Sequence, residues 1–399
     1  MVKIKQYAMP VYLFVFAWFL GLHAPPLHAA AEHANHFSGG VVLLDGLVGA
    51  HAVRTGDLDR DGDLDVVAAG RESGRVVWLE NDGAPFPQFS VHEVGYVQGA
   101  YALAVADLNR DGNLDIVVVG AGELRQPGDE NATPNTGSIL WFENNLRAGG
   151  GFTPHVVAVG LPYSVDIHVA DLDRDGDLDI LIAARDGNRI SWYENNGANP
   201  PAFVEHLVTT SALGAVSVHV GDMNGNGLLD IIAASEQDNK IAIHRSDGAN
   251  PPTFTEVVAY QPMLPTDGLD LAKSVFAADI DGDGDLDIAY VGEDNNEVGW
   301  LENVGGDPPT FVPHVLATDV AHAKVVVALD LDRDGDLDIL VASAGDNQIV
   351  WFEHGGDRPP TFTKHIITTT ALGARDVHAA DLDGDGDIDV LSASRNDNR

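Results

Sequence analysis

Residues 57–65 read DLDRDGDLD, and this string decides the fold because it recurs along the chain. Six related nine-residue strings begin at Asp107 (DLNRDGNLD), Asp171 (DLDRDGDLD), Asp222 (DMNGNGLLD), Asp279 (DIDGDGDLD), Asp330 (DLDRDGDLD) and Asp381 (DLDGDGDID). Successive copies start 50, 64, 51, 57, 51 and 51 residues apart, so the period is near 51 with two insertions. A period of this length is typical of solenoids, propellers and repeat arrays.

Short segments rich in β-branched and aromatic residues fill the sequence between the strings. One segment precedes each string and another follows it, and two more complete the unit, such as RISWYEN (residues 189–195) and FVEHLVT (residues 203–209). Gly, Asn, Asp and Pro-Pro separate the segments, which indicates strands joined by turns. Four short strands per unit are typical of a β-propeller blade.

The sequence therefore predicts an all-β, seven-bladed β-propeller over residues 32–399. Residues 37–44 resemble a fourth strand without its first three, so we expect this N-terminal strand to close the ring in the seventh blade. The sequence stops at Arg399, where other units continue into their third strand. We therefore expect the seventh blade to be truncated at the C-terminus.

The repeated DxDxDGxxD string, with WxEN and FxxHxV segments between copies, resembles the FG-GAP or VCBS repeat family. It is similar to the propeller of integrin alpha chains, and the resemblance covers residues 37–399. The resemblance implies the propeller fold and calcium binding. It does not choose a function, because the family includes adhesion propellers, sugar-binding modules and propellers attached to lyases.

The composition of the strings independently indicates a cation-binding loop. Side chains at positions 1, 3, 5 and 9 can converge if the backbone curls around one point, Gly at position 6 permits the sharp turn, and position 7 offers its carbonyl. All of these ligand atoms are oxygens, which suits Ca²⁺ better than zinc or Mg²⁺. An EF-hand is excluded, because position 12 is apolar and the flanking segments are strands.

Up to seven Ca²⁺ sites are predicted. Their ligand residues are Asp57, Asp59, Asp61, Asp63 and Asp65; Asp107, Asn109, Asp111, Asn113 and Asp115; Asp171, Asp173, Asp175, Asp177 and Asp179; Asp222, Asn224, Asn226, Leu228 and Asp230; Asp279, Asp281, Asp283, Asp285 and Asp287; Asp330, Asp332, Asp334, Asp336 and Asp338; and Asp381, Asp383, Asp385, Asp387 and Asp389. The Asp222 loop is predicted to bind most weakly, since it has the fewest carboxylates. The alternative is a set of metal-free turns held by Asx hydrogen bonds.

The charge balance restricts the partners. The chain has 61 Asp and Glu against 22 Lys and Arg, a formal net charge of -39, which disfavours nucleic acid and anionic membrane surfaces. The absence of cysteine excludes disulfides, thiolate zinc sites and a Cys nucleophile.

The N-terminus has the pattern of a secretory signal peptide. Lys3 and Lys5 precede an apolar run over residues 11–22, and small residues at 29–31 suit a cleavage site. We expect residues 1–31 to be removed and the protein to be extracellular or at the cell surface, without membrane insertion. An uncleaved anchor is the alternative, although the run is shorter than the roughly 20 residues that span a bilayer.

A ligand is expected on the face opposite the acidic loops. Both insertions, near residues 123–137 and 260–271, fall in connections on that face, where repeat proteins often bind partners. The candidate ligand-binding residues at the blade entries differ in chemistry, which suits recognition, although ordinary loop variation would also produce it: His51, Tyr101, Asp166, Lys273, Lys324, Arg375 and Asp376.

The other repeated residues indicate scaffold instead of catalysis. One Trp recurs in five units and one His recurs in the fourth segment, so we expect packing between blades, and no nucleophile, zinc-protease or dinucleotide motif is present. The sequence therefore predicts a monomeric, non-catalytic module that binds extracellular protein or glycan. The alternative is an accessory propeller of a larger secreted polysaccharide-active enzyme.

Overall fold

The structure, a computed structural model, describes residues 16–19, 37–122, 136–261 and 272–396. Within these ranges the elements are strands, apart from one 3-10 helix at Leu146–Ala148. None of the helical structure in this part of the chain has the length and apolarity needed to cross a membrane. The all-β prediction is therefore confirmed.

Six four-stranded antiparallel sheets follow one another along the chain, and each forms one blade of a propeller. The first blade contains β3 (Ala50–Gly56), β4 (Asp65–Gly70), β5 (Arg75–Asn81) and β6 (Phe89–Tyr96). The second contains β7 (Ala100–Ala106), β8 (Asp115–Gly120), β9 (Thr136–Asn144) and β10 (Phe152–Pro162), and the third contains β11 (Ser164–Ala170), β12 (Asp179–Ala184), β13 (Arg189–Asn195) and β14 (Phe203–Thr209).

The next three blades repeat this order. The fourth contains β15 (Ala215–Gly221), β16 (Asp230–Ser235), β17 (Lys240–Ser246) and β18 (Phe254–Tyr260). The fifth contains β19 (Ser274–Ala278), β20 (Asp287–Val291), β21 (Val298–Asn303) and β22 (Phe311–Ala317), and the sixth contains β23 (Ala323–Leu329), β24 (Asp338–Ser343), β25 (Gln348–His354) and β26 (Phe362–Thr368).

The predicted count of seven blades is wrong, because the residues that the structure describes form six four-stranded blades. The seventh repeat forms only a two-stranded sheet, β27 (Ala374–Ala380) and β28 (Asp389–Ser394). In the other repeats a third and a fourth strand follow the second strand, whereas the described residues after Ser394, which are 395 and 396, form no strand. A repeat count therefore overestimated the number of complete blades.

The N-terminal segment supplies a further pair of strands. The segment predicted to close the ring contains β2 (Ser38–Val42), which pairs antiparallel with β1 (Phe16–Phe19), and β1 packs beside β28. Apart from β1, the predicted signal peptide lies outside the described residues. Phe37 packs edge-on against Trp351 of the sixth blade, with ring centroids 6.1 Å apart.

The first strand of each repeat lies at the centre of the molecule. β3, β7, β11, β15, β19, β23 and β27 pack side by side, and β27 returns to β3, so these inner strands surround a central channel. Because neighbouring strands run antiparallel, the acidic loops after the inner strands lie on one face, here the loop face. The second-to-third and blade-to-blade connections lie on the opposite face, here the mouth face.

The hydrophobic core lies between blades. Leu58 and Trp78 of the first blade pack with Leu103 and Phe142 of the second, and similar clusters join the other neighbours. The second strand of a blade is buried on both faces, as in β12, where every residue is buried. The seventh repeat also contributes to this core, because Leu391 packs in one cluster with Leu79 of the first blade.

Candidate metal loops and channel mouth

Each acidic loop follows an inner strand and makes a tight turn that its sequence favours. In the third loop, Arg174 at position 4 has φ 65° and Gly176 at position 6 has φ 90°, both in the left-handed region. At position 6 all seven loops have glycine with positive φ, which a side chain would strain. The structure therefore bears out the turn-forming role that the sequence assigned to this glycine.

The Asp at position 9 is the buried anchor of the loop. Asp179 accepts backbone hydrogen bonds from Leu172 N at 2.9 Å and from Asn195 N at 2.9 Å, and it therefore joins the loop to the third strand. Burial raises the pKa of its counterparts above the usual range, to about 6 for Asp65 and about 7 for Asp115, Asp179, Asp287, Asp338 and Asp389. A bound cation would favour the ionised carboxylates.

Backbone amides occupy only some of the carboxylate oxygens at positions 1, 3 and 5. In the third loop, Asp173 Oδ1 accepts from Asp175 N at 3.1 Å, and Asp171 Oδ2 accepts from Gly176 N at 3.1 Å. These are the Asx hydrogen bonds of the metal-free alternative. However, Asp171 Oδ1 and Asp173 Oδ2 are buried and have no hydrogen-bond partner among the described residues.

The same orphaned oxygen distinguishes five loops from the other two. Oδ1 of the position-1 Asp is buried, without a hydrogen-bond partner in the described chain, in the loops that begin at Asp57, Asp171, Asp279, Asp330 and Asp381. In the two loops with Asn at position 3, this oxygen instead accepts from the backbone: Asp107 Oδ1 from Asp111 N at 3.1 Å, and Asp222 Oδ1 from Asn226 N at 2.9 Å. A buried oxygen without a donor is what a hard cation would satisfy.

Carboxylates in the loops also converge. In at least four of the five loops, three carboxylate residues each offer one oxygen within 4.8 Å of the others: Asp57, Asp59 and Asp61; Asp171, Asp173 and Asp179; Asp279, Asp281 and Asp287; and Asp330, Asp332 and Asp334. The residues present therefore fit Ca²⁺ in number, type and spacing.

A row of asparagine side chains joins neighbouring loops, and sequence reasoning missed it. Asn195 Nδ2 donates to Leu178 O of its own loop at 3.1 Å and to Leu108 O of the preceding blade's loop at 2.9 Å. Asn81, Asn144 and Asn303 make the equivalent pair of bonds, and Asn81 reaches Leu382 O of the seventh repeat. The signal was the Asn that ends the repeated WxEN segment.

The recurring Trp and His residues form a scaffold, as the sequence predicted. Five His rings stack on the Trp rings of the third strands with centroids 4.4–4.9 Å apart, and each His Nε2 lies 2.6–2.9 Å from a Glu carboxylate of the same third strand. The Trp rings are buried against the neighbouring blade, as Trp78 is against Leu103. These repeated packing contacts explain why the Trp and His residues recur, without any need for a bound ligand.

Seven side chains enter the mouth of the channel from equivalent positions, six residues before each acidic string. This mouth ring contains His51, Tyr101, Val165, Val216, Lys273, Lys324 and Arg375, and all seven line a cavity of about 410 Å³ in the channel. Six of the inner strands have a register shift at this residue, as between Ala374 and Asp376. Such a bulge re-aims a side chain, and the alternation pattern of the sequence does not reveal it.

The sequence candidates at the mouth separate into two groups. His51, Tyr101, Lys273, Lys324 and Arg375 belong to the mouth ring. Asp166 instead accepts from Ile167 N and Val218 N, both at 2.9 Å, and Asp376 accepts from Val377 N at 2.9 Å and Val53 N at 3.0 Å. These two carboxylates hold neighbouring inner strands together.

Deeper in the channel lie three histidines, His168, His219 and His378. Burial lowers their pKa to about 4 for His168 and about 3 for the other two. The rings are therefore neutral at physiological pH, and His378 Nε2 lies 3.0 Å from Thr55 Oγ1.

These features define a β-propeller whose loop face repeats an acidic turn. The FG-GAP-like repeat model matches residues 40–118, 171–233, 222–290, 279–341 and 330–392, so the chain belongs to the FG-GAP-like repeat family. This confirms the resemblance to FG-GAP repeats. No curated protein is significantly similar in sequence to the chain.

Two solved structures show the same fold at low sequence identity. Selenomethionine-substituted virginiamycin B lyase from Staphylococcus aureus is 13% identical, with a TM-score of 0.51, over 87% of this chain and 95% of that chain. A lectin of Agrocybe aegerita that recognises non-reducing terminal N-acetylglucosamine is 19% identical, with a TM-score of 0.52, over 85% of this chain and 88% of that chain. A lyase and a lectin therefore share this architecture, which does not itself choose between catalysis and binding.

Proposed function

We propose that the protein is a secreted, calcium-stabilised propeller that binds an extracellular protein or glycan without catalysing a reaction. The observation that carries the proposal is that the two faces of the propeller differ in their side chains. The loop face repeats one acidic turn, whereas the mouth face presents a cavity of about 410 Å³ whose ring combines His, Tyr, Val, Lys and Arg side chains. A regular scaffold with varied side chains at one opening suits recognition.

Calcium is the stabilising ion in this proposal. In each loop the side-chain oxygens of the Asp or Asn residues at positions 1, 3, 5 and 9 and the carbonyl at position 7 would hold it. The orphaned position-1 oxygens support five tight sites, and the Asp107 and Asp222 loops would bind more weakly because a backbone amide already occupies that oxygen. The ion would hold each turn between the first and second strands and offset the repulsion among the carboxylates.

Secretion and the absence of catalysis rest on separate grounds. The N-terminal charge, apolar run and small residues support export, and extracellular calcium is concentrated enough for such sites. The neutral channel histidines and the structural use of Asp166 and Asp376 leave the cavity without an evident acid–base pair among the described residues. We propose that the protein acts as a monomer.

Binding arrays test this proposal. The secreted protein, labelled and saturated with calcium, should bind saturably to a glycan or an extracellular protein, and a chelator should abolish the binding. Mass spectrometry of the ligand after long incubation should show no chemical change. Turnover of the ligand, or no binding to either class of array at any protein concentration, would overturn the proposal.

A further inference from the structure

One half of the mouth ring is cationic although the chain is strongly acidic. Lys273, Lys324 and Arg375 come from three successive repeats, whereas the facing part of the ring contains Tyr101, Val165 and Val216. The formal net charge of the chain is -39, so three adjacent cations at one opening are a local reversal of the overall charge. An anion would be attracted to this opening and repelled elsewhere.

Carboxylates pair with the two lysines of the mouth ring but not with Arg375. Glu293 pairs with Lys324 and lies 3.0 Å from Lys273 Nζ, and Glu236 lies 3.2 Å from Lys273 Nζ and also pairs with Arg185. Arg375 has no carboxylate within ion-pair distance in the described ranges. Its pKa is lowered by burial and by the neighbouring cations Arg395 and Arg71. Arg375 is therefore unpaired, although Glu293 attracts its charge from beyond ion-pair distance.

Arg71 adds a second guanidinium next to this position. It comes from the connection after β4, its guanidinium carbon lies 4.9 Å from the centroid of the Tyr101 ring, and it hydrogen-bonds Tyr163 Oη. Only 9% of Arg71 is exposed, and its Nε has no hydrogen-bond partner among the residues described. Arg375 Nε is likewise buried without a partner there. The described chain therefore leaves two guanidinium Nε donors unpaired here, one on Arg375 in the mouth ring and one on Arg71 beside Tyr101, outside the residues that line the cavity.

His51 offers the complementary atom. Its Nδ1 donates to Tyr101 O at 2.8 Å, because a carbonyl oxygen can only accept. The neutral ring therefore has an acceptor at Nε2, and burial together with Arg375 and Arg71 lowers its pKa well below the usual value. His51 is 6% exposed, and in the described structure Nε2 has no partner. The mouth thus combines donors for an anion with one acceptor for a hydroxyl group.

We propose, on the basis of the binding function proposed above, that the mouth binds a hydroxylated carboxylate, the chemistry of a uronic acid residue at the end of an acidic glycan. The carboxylate accepts from Arg375, and a ring hydroxyl donates to His51 Nε2. A sulfate dianion or a phosphate monoester dianion group has no hydrogen to donate to His51, and a neutral sugar leaves Arg375 unpaired. A cavity of about 410 Å³ lies in the size range of small-molecule sites, so it suits a chain end better than a folded protein surface.

Calorimetry with defined oligosaccharides tests the assignment. The calcium-saturated protein should bind an oligogalacturonate trimer at least tenfold more tightly than a neutral galactose trimer. Arg375→Gln should weaken trimer binding at least tenfold, whereas the matched control Arg147→Gln, at an exposed site outside the cavity, should bind like the wild type. A thermal melt checks that each variant is folded. If Arg375→Gln is unfolded, Lys324→Gln takes its place, and we expect a smaller but measurable loss of affinity for the trimer.

The outcomes separate this inference from the broader function. Equal affinity for the two trimers, wild-type affinity in both cavity variants, or binding only of inorganic sulfate or an acidic peptide would overturn the uronate assignment. If the arrays yield a neutral glycan or a protein ligand while the uronate trimer fails, the assignment falls and the binding function stands. If no ligand of any class binds, both fall.

Discussion

At the scale of single residues, a polar side chain in this fold often joins two parts of the chain that are far apart in sequence. Asn195 does so through one amide group, which donates to carbonyls of two neighbouring acidic loops. The fourth blade has Ser246 at the same position, and Ser246 retains only the turn hydrogen bond from Gly248 N. The two positions therefore form a natural comparison, because Asn195 accepts the equivalent bond from Gly197 N.

We predict that Asn195→Ala lowers the free energy of unfolding by about 2 kcal/mol, since it leaves two carbonyls without their donor. Ser246→Ala should lower it by less than about 1 kcal/mol, because only the shared turn bond is lost. Urea denaturation of both variants in saturating calcium measures the difference. Equal losses would show that the link between loops contributes nothing to stability.

At the scale of elements, the closure of the ring depends on side-chain hydrogen bonds between the inner strands of neighbouring repeats. Asp376 on β27 accepts from Val53 N on β3 at 3.0 Å and from Arg54 Nη1 at 2.6 Å, so it joins the last inner strand to the first. Ser274 on β19 makes a longer bond, accepting from Val326 N on β23 at 3.4 Å. Inner strands of neighbouring blades are not joined by a backbone hydrogen-bond ladder, and both side chains supply an acceptor for a backbone amide across that junction.

We predict that Asp376→Ala costs about 2 kcal/mol of stability, mainly because the buried Val53 amide loses its acceptor. Arg54 is one-third exposed, so solvent reduces the contribution of its ion pair. Ser274→Ala, the control at another inner-strand junction, should cost about 1 kcal/mol or less. Thermal and chemical denaturation give both values, and a larger loss in Ser274→Ala would contradict the importance assigned to this junction.

At the scale of the whole molecule, the repeated carboxylates make stability depend on cations. Calcium bound only to the folded state stabilises it by about 2.7 kcal/mol per site at a hundredfold excess over Kd. Five such sites would rival the roughly 5–15 kcal/mol of net stability that is usual for a folded domain. Without cations, the carboxylates crowded within each loop would repel one another.

We therefore predict that removal of calcium lowers Tm by tens of degrees or unfolds the protein. Magnesium at the same concentration and ionic strength should restore little of the loss, because it retains its water and demands octahedral geometry. In a calcium titration, the Asp222 loop should show the lowest affinity for calcium. An unchanged Tm after elemental analysis has verified calcium removal would mean that hydrogen bonds alone hold the loops.

The sequence alone determined the features that depend on near neighbours in the chain. The turn glycine and the alternate carboxylates of each loop lie within one nine-residue string, and each strand is a short continuous segment, so a linear pattern records them all. Only the tertiary structure decided the features that depend on distant residues. The six complete blades, the free oxygen of Asp171, the two-loop contact of Asn195 and the bulge that aims Arg375 into the channel all arise from contacts between strands or blades. Asp376 and Val53 are 323 residues apart, and the bond that joins them exists only because the ring closes.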